Sequence, residues 1–296
     1  MAEAKIIDGQ AIAARLRQRV AEAAEELRER HGVVPGLAAI IVGSDPASQI
    51  YVRNKARACA AAGLASYEHT LSGSASEADV IALVRSLNMD DRVDGVLVQL
   101  PLPSHIDARK VVIAIDPAKD VDGFHPLNIG RLWGGETTLV PCTPQGCMIL
   151  LRSALPSLTG AEAVVLGRSH IVGRPLAALL LAADCTVTLV HTKSRNVPAL
   201  CRRADILIAA AGQPAVVKSD WIKQGSTVID VGTNRVTTAD GVRLVGDVDF
   251  AAAREVAGAI TPVPGGAGPM TIACLLQNTV LAACRRRGFA DPALVD

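Results

Sequence analysis

Apolar runs of strand length alternate with helix-length amphipathic stretches through most of this chain, and that rhythm restricts it to one fold class. After an opening helical stretch stopped by Gly32, the sequence reads GLAAIIVG (36–43), a helical segment containing YVRNK (51–55), SYEHTL (66–71), SEADVIALVRSLN (76–88) and VDGVLVQLPLP (93–103). Such a succession predicts parallel strands with helices on their faces, an α/β fold. A second series starts near residue 161 with AEAVVLG, GRPLAALLLAA, CTVTLVH, VPALCRRA, DILIAAAG, SDWIKQG and STVIDVG. At 296 residues there is room for two such domains. The seam is expected in the loop-rich stretch IDPAKDVDGFHPLNIGRLWGGETTLVPCTPQG (115–146), followed by a helix capped by Thr143 with Pro144 at its first position. Near the end, ITPVPGGAGP (260–269) holds too much Pro and Gly for regular structure. The helix after it stops at Gly288, and periodicity alone leaves open which domain receives its apolar face.

Composition narrows the partners. Half of the residues are hydrophobic and 20% are charged, which excludes a disordered or fibrous chain. A formal net charge of +1 gives no broad attraction to nucleic acid or to an acidic membrane, so small molecules or copies of the chain are the expected partners. The 7 cysteines form no C-x-x-C pair and no zinc-spaced cluster; they read as reduced packing thiols, with no metal site. The N-terminal stretch mixes both charge signs along a helical period, unlike an export signal, and no apolar run approaches the roughly 20 residues of a membrane helix. A cytoplasmic location is the expectation.

In the second series, VVLGRSHIVGRP is a strand, a turn and a helix start, with Gly167, Ser169 and Gly173 in a degenerate form of the G-x-G-x-x-G fingerprint. Such a turn lets backbone N–H groups at a helix N-terminus face a phosphate. The next strand runs into His191, Thr192, Lys193, Ser194 and Arg195, with no carboxylate at the position that binds the ribose hydroxyls of NAD. Together with Arg168 in the glycine turn, these groups suit a 2′-phosphate and predict NADP. A solvated basic loop is the alternative.

In the first series, Tyr51 and Lys55 stand four residues apart, on one helical face, just after a strand that ends in a glycine turn. The Tyr-x-x-x-Lys pair of short-chain dehydrogenases follows the glycine-rich turn within one domain, whereas this pair precedes Gly167 by more than a hundred residues. It belongs to another domain. Gln99 ends an apolar strand before Pro101, where it faces the same crevice or bonds to backbone. Asp120 and Asp122 lie in a turn-rich loop, as turn formers or ligand anchors, and His125 beside Pro126 suits a loop cap better than catalysis.

YVRNK, DGVLVQLPLP, KDVDGFHPLNIGRL, CTPQG, GRSHIVGRP, DWIKQGSTVIDVGTN, GDVDF and ITPVPGGAGPMT, in this order, resemble the bifunctional methylenetetrahydrofolate dehydrogenase/cyclohydrolase family. The resemblance runs from about Lys5 to about Cys284. It implies an N-terminal α/β folate-binding domain (1–138 plus 272–296), a Rossmann-like NADP-binding domain (139–271) and a folate cleft between them. The C-terminal helix then returns to the first domain. The family's substrate site maps onto Tyr51, Lys55, Val98, Gln99, Leu100, Asp122 and the segment holding Pro264, Gly265, Gly266, Gly268, Pro269 and Thr271. Its nucleotide site maps onto Gly167, Arg168, Ser169, Thr192 and Thr233. A homodimer acting in one-carbon metabolism and purine biosynthesis is implied as well.

The implied chemistry oxidises 5,10-methylenetetrahydrofolate to the methenyl cation and hydrolyses the cation to 10-formyltetrahydrofolate. A ring nitrogen lone pair expels the hydride, so the first step needs positioning and no base. The second step needs proton traffic, for which Lys55 is the candidate. A lysine at its usual pKa of about 10.4 is a poor base, but burial beside a cationic substrate disfavours the ammonium. Gln99 can orient the amine, Tyr51 can stack on the substrate, and Asp122 can accept paired bonds from the pterin. Leu127 stands where some relatives carry an aromatic. Two alternatives remain open at this level: an NADP-linked dehydrogenase of another small substrate, and a nucleotide-responsive binding module without turnover.

Overall fold

The chain opens with β1 (Lys5–Ile6) and α1 (Gly9–His31), and continues through β2 (Gly36–Val42), α2 (Pro46–Ala61), β3 (Ala65–Leu71), α3 (Glu77–Met89) and β4 (Gly95–Val98). Two short helices, α4 (Ala108–Ala114) and α5 (Pro126–Trp133), lead to α6 (Cys142–Ala154). Then come β5 (Glu162–Leu166), α7 (Gly173–Ala182), β6 (Thr186–Val190), α8 (Val197–Cys201), β7 (Ile206–Ala209) and β8 (Thr227–Asp230). The last elements are β9 (Asn234–Thr238), β10 (Gly241–Val245), α9 (Phe250–Ala253), β11 (Ala259–Ile260) and α10 (Ala267–Arg286). This computed structural model describes residues 3–238 and 241–294. It divides into two compact units, Met1–Ala13 with Thr143–Thr271, and Ala14–Cys142 with Ile272–Asp296.

The second of these carries a three-stranded parallel sheet in the order β3-β2-β4. Burial follows position: the central strand β2, GLAAIIV, is buried at every residue, whereas the edge strand β3 alternates half-buried and exposed residues. Ala38, Ile40, Val96 and Val98 pack with Val80, Val84 and Leu87 of α3 and Val111 of α4 into one core. Ser76 starts α3 with a capping box, accepting from the Asp79 amide while Asp79 accepts from the Ser76 amide.

The other unit is a six-stranded parallel sheet in the order β1-β11-β8-β7-β5-β6. Ala4, Val164, Leu166, Val190, Leu207, Val228 and Ile260 belong to its core. β9 and β10 form a separate antiparallel ribbon.

Several sequence expectations change here. The start of the chain does not group with the rest of the 1–138 span, because Lys5 and Ile6 pair in parallel with Ala259 and Ile260 at the end of the six-stranded sheet. The α6 helix begins at Cys142, so Thr143 lies inside its first turn and is not its cap; its hydroxyl meets that of Thr271 at 2.9 Å. SDWIKQG supplies only a 3-10 turn at Ser219–Trp221. In PVPGGAGP, α10 already begins at Ala267, with Pro269 in the first turn, where its missing N–H costs no helical bond. That helix is long and apolar enough to cross a membrane, yet 78% of its most apolar window is buried in the protein.

The C-terminal part of α10 is tied to the three-stranded sheet by a buried charge. Asp94, with no exposed surface, accepts from Arg286 Nη1 and Arg287 Nη1, both at 2.6 Å, and from the Gly36 amide at 3.1 Å. One carboxylate thus joins the starts of β2 and β4 to the end of α10. Removing it strands two guanidinium groups that are largely covered. Asp94→Ala should lower the unfolding free energy by about 3–5 kcal/mol in urea titrations; a loss below about 1 kcal/mol would show that the cluster contributes no more than a surface pair.

Candidate active site

In the three-stranded sheet the chain leaves β2 toward β3 on one side and reaches β4 on the other, so the carboxyl end of β2 is a topological switch point. The α2 helix starts just beyond that end and carries Tyr51 and Lys55 one turn apart. Lys55 is half-buried, and its Nζ donates to Gln99 Oε1 at 3.1 Å. Gln99 directly follows β4; its Nε2 donates to the Leu100 carbonyl at 2.8 Å and its backbone N–H to the Ile40 carbonyl at 2.9 Å. A lysine can only donate and a carbonyl can only accept, so both partners select the same orientation of the Gln99 amide. Val98 is buried beneath it, Leu100 is half-buried, and Tyr51 keeps 47% of its surface exposed.

Asp122 approaches the same lysine from the loop between α4 and α5. Burial pushes its carboxyl up, the positive Lys55 opposes that rise, and the neighbouring Asp120 reinforces it. Among the described residues nothing donates a hydrogen bond to the Asp122 carboxyl, and part of the residue remains accessible. It is therefore open to N–H donors of a ligand. Asp120 differs: it is buried and accepts from the His125 amide at 2.7 Å and from Asn128 Nδ2 at 2.9 Å. His125 caps α5, its Nδ1 accepting from the Leu127 amide at 3.1 Å, which leaves it a structural role. Leu127 itself is exposed.

Three further residues fix the Asp122 loop, and sequence reasoning gave this role to none of them. Asn278, buried in α10, donates through Nδ2 to the carbonyls of Val121 and Val140, each at 2.8 Å. Cys142 Sγ also donates to the Val121 carbonyl at 3.3 Å. At Gly123 (φ 73°) a Cβ would stand 2.5–2.6 Å from the Val140–Pro141 backbone, so the loop closes only with glycine. Burial pushes the Cys142 thiol well up, reinforced by Asp122, so it stays protonated and inert beside the lysine. A polar residue on the apolar face of a helix was the one available signal for Asn278.

The six-stranded unit holds the remaining predicted positions. Gly167 follows β5 at φ 130°, where a Cβ would lie 2.0 Å from the Ala210 carbonyl oxygen. Ser169 Oγ accepts from the amides of Val172 and Gly173 at 3.1 and 3.3 Å, closing the turn into α7. Arg168 is exposed and its carbonyl accepts from Arg174 Nε at 3.2 Å. Thr192, Lys193 and Arg195 are exposed beyond β6, in a turn tied by Ser194 Oγ, which accepts from the His191 amide at 3.0 Å. Exposed cations thus stand at the carboxyl ends of β5 and β6, with no carboxylate ending β6, a donor set that fits a dinucleotide with a 2′-phosphate. Thr233 is exposed after β8. Pro264 and Gly268 are exposed, Gly265, Pro269 and Thr271 half-buried and Gly266 buried. Among the described residues no group of three His, Cys, Asp or Glu side chains could hold a metal ion.

Comparisons with known proteins identify the family. Residues 7–122 match the family described as tetrahydrofolate dehydrogenase/cyclohydrolase, catalytic domain, and residues 141–287 match its NAD(P)-binding domain. The chain is 58% identical over 287 residues to bifunctional protein FolD 2 of Paracoccus denitrificans, covering 97% of this chain and 95% of the relative. The crystal structure of the bifunctional FolD enzyme from Campylobacter jejuni superposes with a TM-score of 0.92 at 44% identity, over 95% of this chain and 99% of that one. The Trypanosoma brucei enzyme, solved with NADP cofactor and an inhibitor, gives 0.92 at 42% identity over 98% and 100% of the two chains.

Asp230, at the end of β8 and three residues before Thr233, makes pH a readout of the nucleotide unit. It accepts from the amides of Gly232, Asp247 and Val248, each at 2.9 Å, yet burial outweighs these bonds and pushes its pKa up to about 6. A folded value above the unfolded one of about 3.9 means that the folded state binds the proton more tightly. The stability this group contributes is complete below about pH 4 and is lost as pH rises through about 6. The unfolding free energy of the parent protein minus that of Asp230→Asn should fall across this window and level off above about pH 7; a flat difference would contradict the raised value.

Proposed function

The chain belongs to the tetrahydrofolate dehydrogenase/cyclohydrolase family, and on that premise we propose which of its residues carry the two reactions. The protein is a bifunctional NADP-dependent enzyme of one-carbon metabolism that oxidises 5,10-methylenetetrahydrofolate to the methenyl cation and hydrolyses the cation to 10-formyltetrahydrofolate. In the proposal, folate chemistry belongs to Tyr51, Lys55, Val98, Gln99, Leu100 and Asp122, with Pro264, Gly265, Gly266, Gly268, Pro269 and Thr271 lining the substrate. The nucleotide belongs to Gly167, Arg168, Ser169, Gly173, Thr192 and Thr233. The observation that carries the reading is the 3.1 Å bond from Lys55 Nζ to Gln99 Oε1 at the carboxyl end of β4.

NADP, when bound, supplies the acceptor for the hydride. For that step the chain has to position and exclude water, because the substrate's own nitrogen lone pair expels the hydride and no side chain removes a proton. Hydrolysis is different, since water must lose a proton as it adds to the cationic carbon. Lys55 is the group placed to move that proton, and Gln99 holds the amine in place without adding a charge. Asp122, raised by burial and given no hydrogen-bond donor among the described residues, accepts from the pterin N–H groups. Tyr51, largely exposed on the same helical face as Lys55, stacks on the folate.

Specificity for NADP over NAD is assigned to Arg168, supported by the exposed Lys193 and Arg195. The reading extends to a homodimer in the cytoplasm, for which the family resemblance is the support, and to the absence of nucleic-acid or membrane partners, for which the near-neutral net charge of +1 is the support. Two variants test the residue assignments. Lys55→Met should lower cyclohydrolase turnover by about 100-fold or more while leaving the KM for NADP in place, followed by methenyl absorbance; full hydrolysis in that variant removes the role. Arg168→Ala should raise the KM for NADP by about tenfold and leave that for NAD unchanged, as expected for a lost charge-assisted bond. An equal change for both nucleotides contradicts the 2′-phosphate assignment.

A further inference from the structure

One buried carboxylate in the six-stranded unit is engaged by no predicted site residue. Asp247 has no exposed surface and gathers four donors: the amides of Ala211, Gly212 and Gln213 at 2.6, 2.8 and 3.0 Å, and Asn234 Nδ2 at 2.8 Å. Three consecutive backbone N–H groups converging on one carboxylate fix the path of the chain there, because each lost bond would leave a buried charge undersolvated. Asp247 is itself held from below, its own amide donating to Asp230 Oδ1 at 2.9 Å.

The segment so fixed is the one that leaves β7. In this sheet β5 lies between β6 and β7, and the chain runs from β5 to β6 on one side and returns to β7 on the other. The carboxyl ends of β5 and β7 therefore flank the switch point, where dinucleotides bind in open α/β sheets. Contacts run directly from one to the other. The Ala210 amide donates to the Leu166 carbonyl at 2.8 Å, and its carbonyl occupies the space that a Cβ on Gly167 would need. The residues that Asp247 grips thus begin one position after the residue against which the glycine turn rests.

We infer that Asp247 is a positioning residue for NADP, holding residues 211–213 so that Ala210 can support the Gly167 turn. The inference rests on the assignment of Gly167 and Arg168 to the nucleotide site. A carboxylate suits this work because it accepts on both oxygens. An asparagine of the same shape would turn an NH2 group toward amide donors, breaking the grip without opening a cavity. A merely structural role would depress both activities together and lower Tm; a positioning role acts on NADP alone, since hydrolysis consumes no nucleotide.

The test is Asp247→Asn, assayed for both reactions. The expected result is a KM for NADP raised about tenfold or more, with dehydrogenase kcat at saturating NADP and cyclohydrolase kcat/KM both within about twofold of the parent. An unchanged KM for NADP, or an equal fall in the two activities, overturns the inference. Should this variant fail to fold, Asn234→Ala removes a single donor from Asp247; a rise of about threefold in the KM for NADP supports the inference and no rise overturns it. Arg168→Ala run in parallel separates the two levels. If it leaves NADP affinity intact, the nucleotide-site assignment itself fails; if it weakens NADP while Asp247→Asn does not, only the present inference fails.

Discussion

In a parallel sheet every strand delivers its carboxyl end to the same edge, so side chains distant in sequence collect there without any other device. Both units of this protein follow that constraint. At one such edge, α2 brings Lys55 to Gln99 across 44 positions of sequence. At the other, the turn after β5 meets the residue after β7. The chemistry of each unit is then decided by what stands at those few positions, while the strands beneath supply an apolar floor.

Buried carboxylates separate structural from functional roles by how their bonds are filled. Asp94 is neutralised by two arginines, and Asp120, Asp230 and Asp247 are each satisfied by backbone or side-chain N–H groups. Asp94, Asp230 and Asp247 tie segments distant in sequence, Asp120 closes its own loop onto α5, and all four have little capacity left for a ligand. Asp122 has a carboxyl raised by burial but stays partly accessible and, among the described residues, has no such donor, and its opposing charge is Lys55. An acceptor left open beside an amine is what folate, with its ring N–H donors, can use. Asn278 and Gly123 hold that acceptor in place at a cost in local freedom that a simple turn would not require.

Much of this was legible in the sequence. The strands announced themselves by length and apolarity, and Tyr51, Lys55 and Gln99 by standing just past strand ends, which is a local property. The glycine turn at Gly167 was legible despite its degenerate form because the strand, turn and helix are contiguous. What escaped was non-local or too short to leave a pattern. The pairing of Lys5 and Ile6 with Ala259 and Ile260 joins segments some 250 residues apart through two residues each. Asn278 and Asp247 act through backbone groups of other segments, so no spacing rule exposes them. Thr143 looked like a cap because caps are defined by side-chain type, yet its hydroxyl pairs with Thr271 instead.

The account stands on Lys55 and Asp122 addressing one bound folate, the amine at the reacting carbon and the carboxylate at the pterin. The most direct measurement is a crystal structure of the protein with a tetrahydrofolate analogue bound. The account predicts Lys55 Nζ within about 3.5 Å of the bridging one-carbon centre or of a water poised on it, with Asp122 accepting from the pterin N–H groups. A complex in which the lysine points into solvent and the pterin lies away from Asp122 would contradict it.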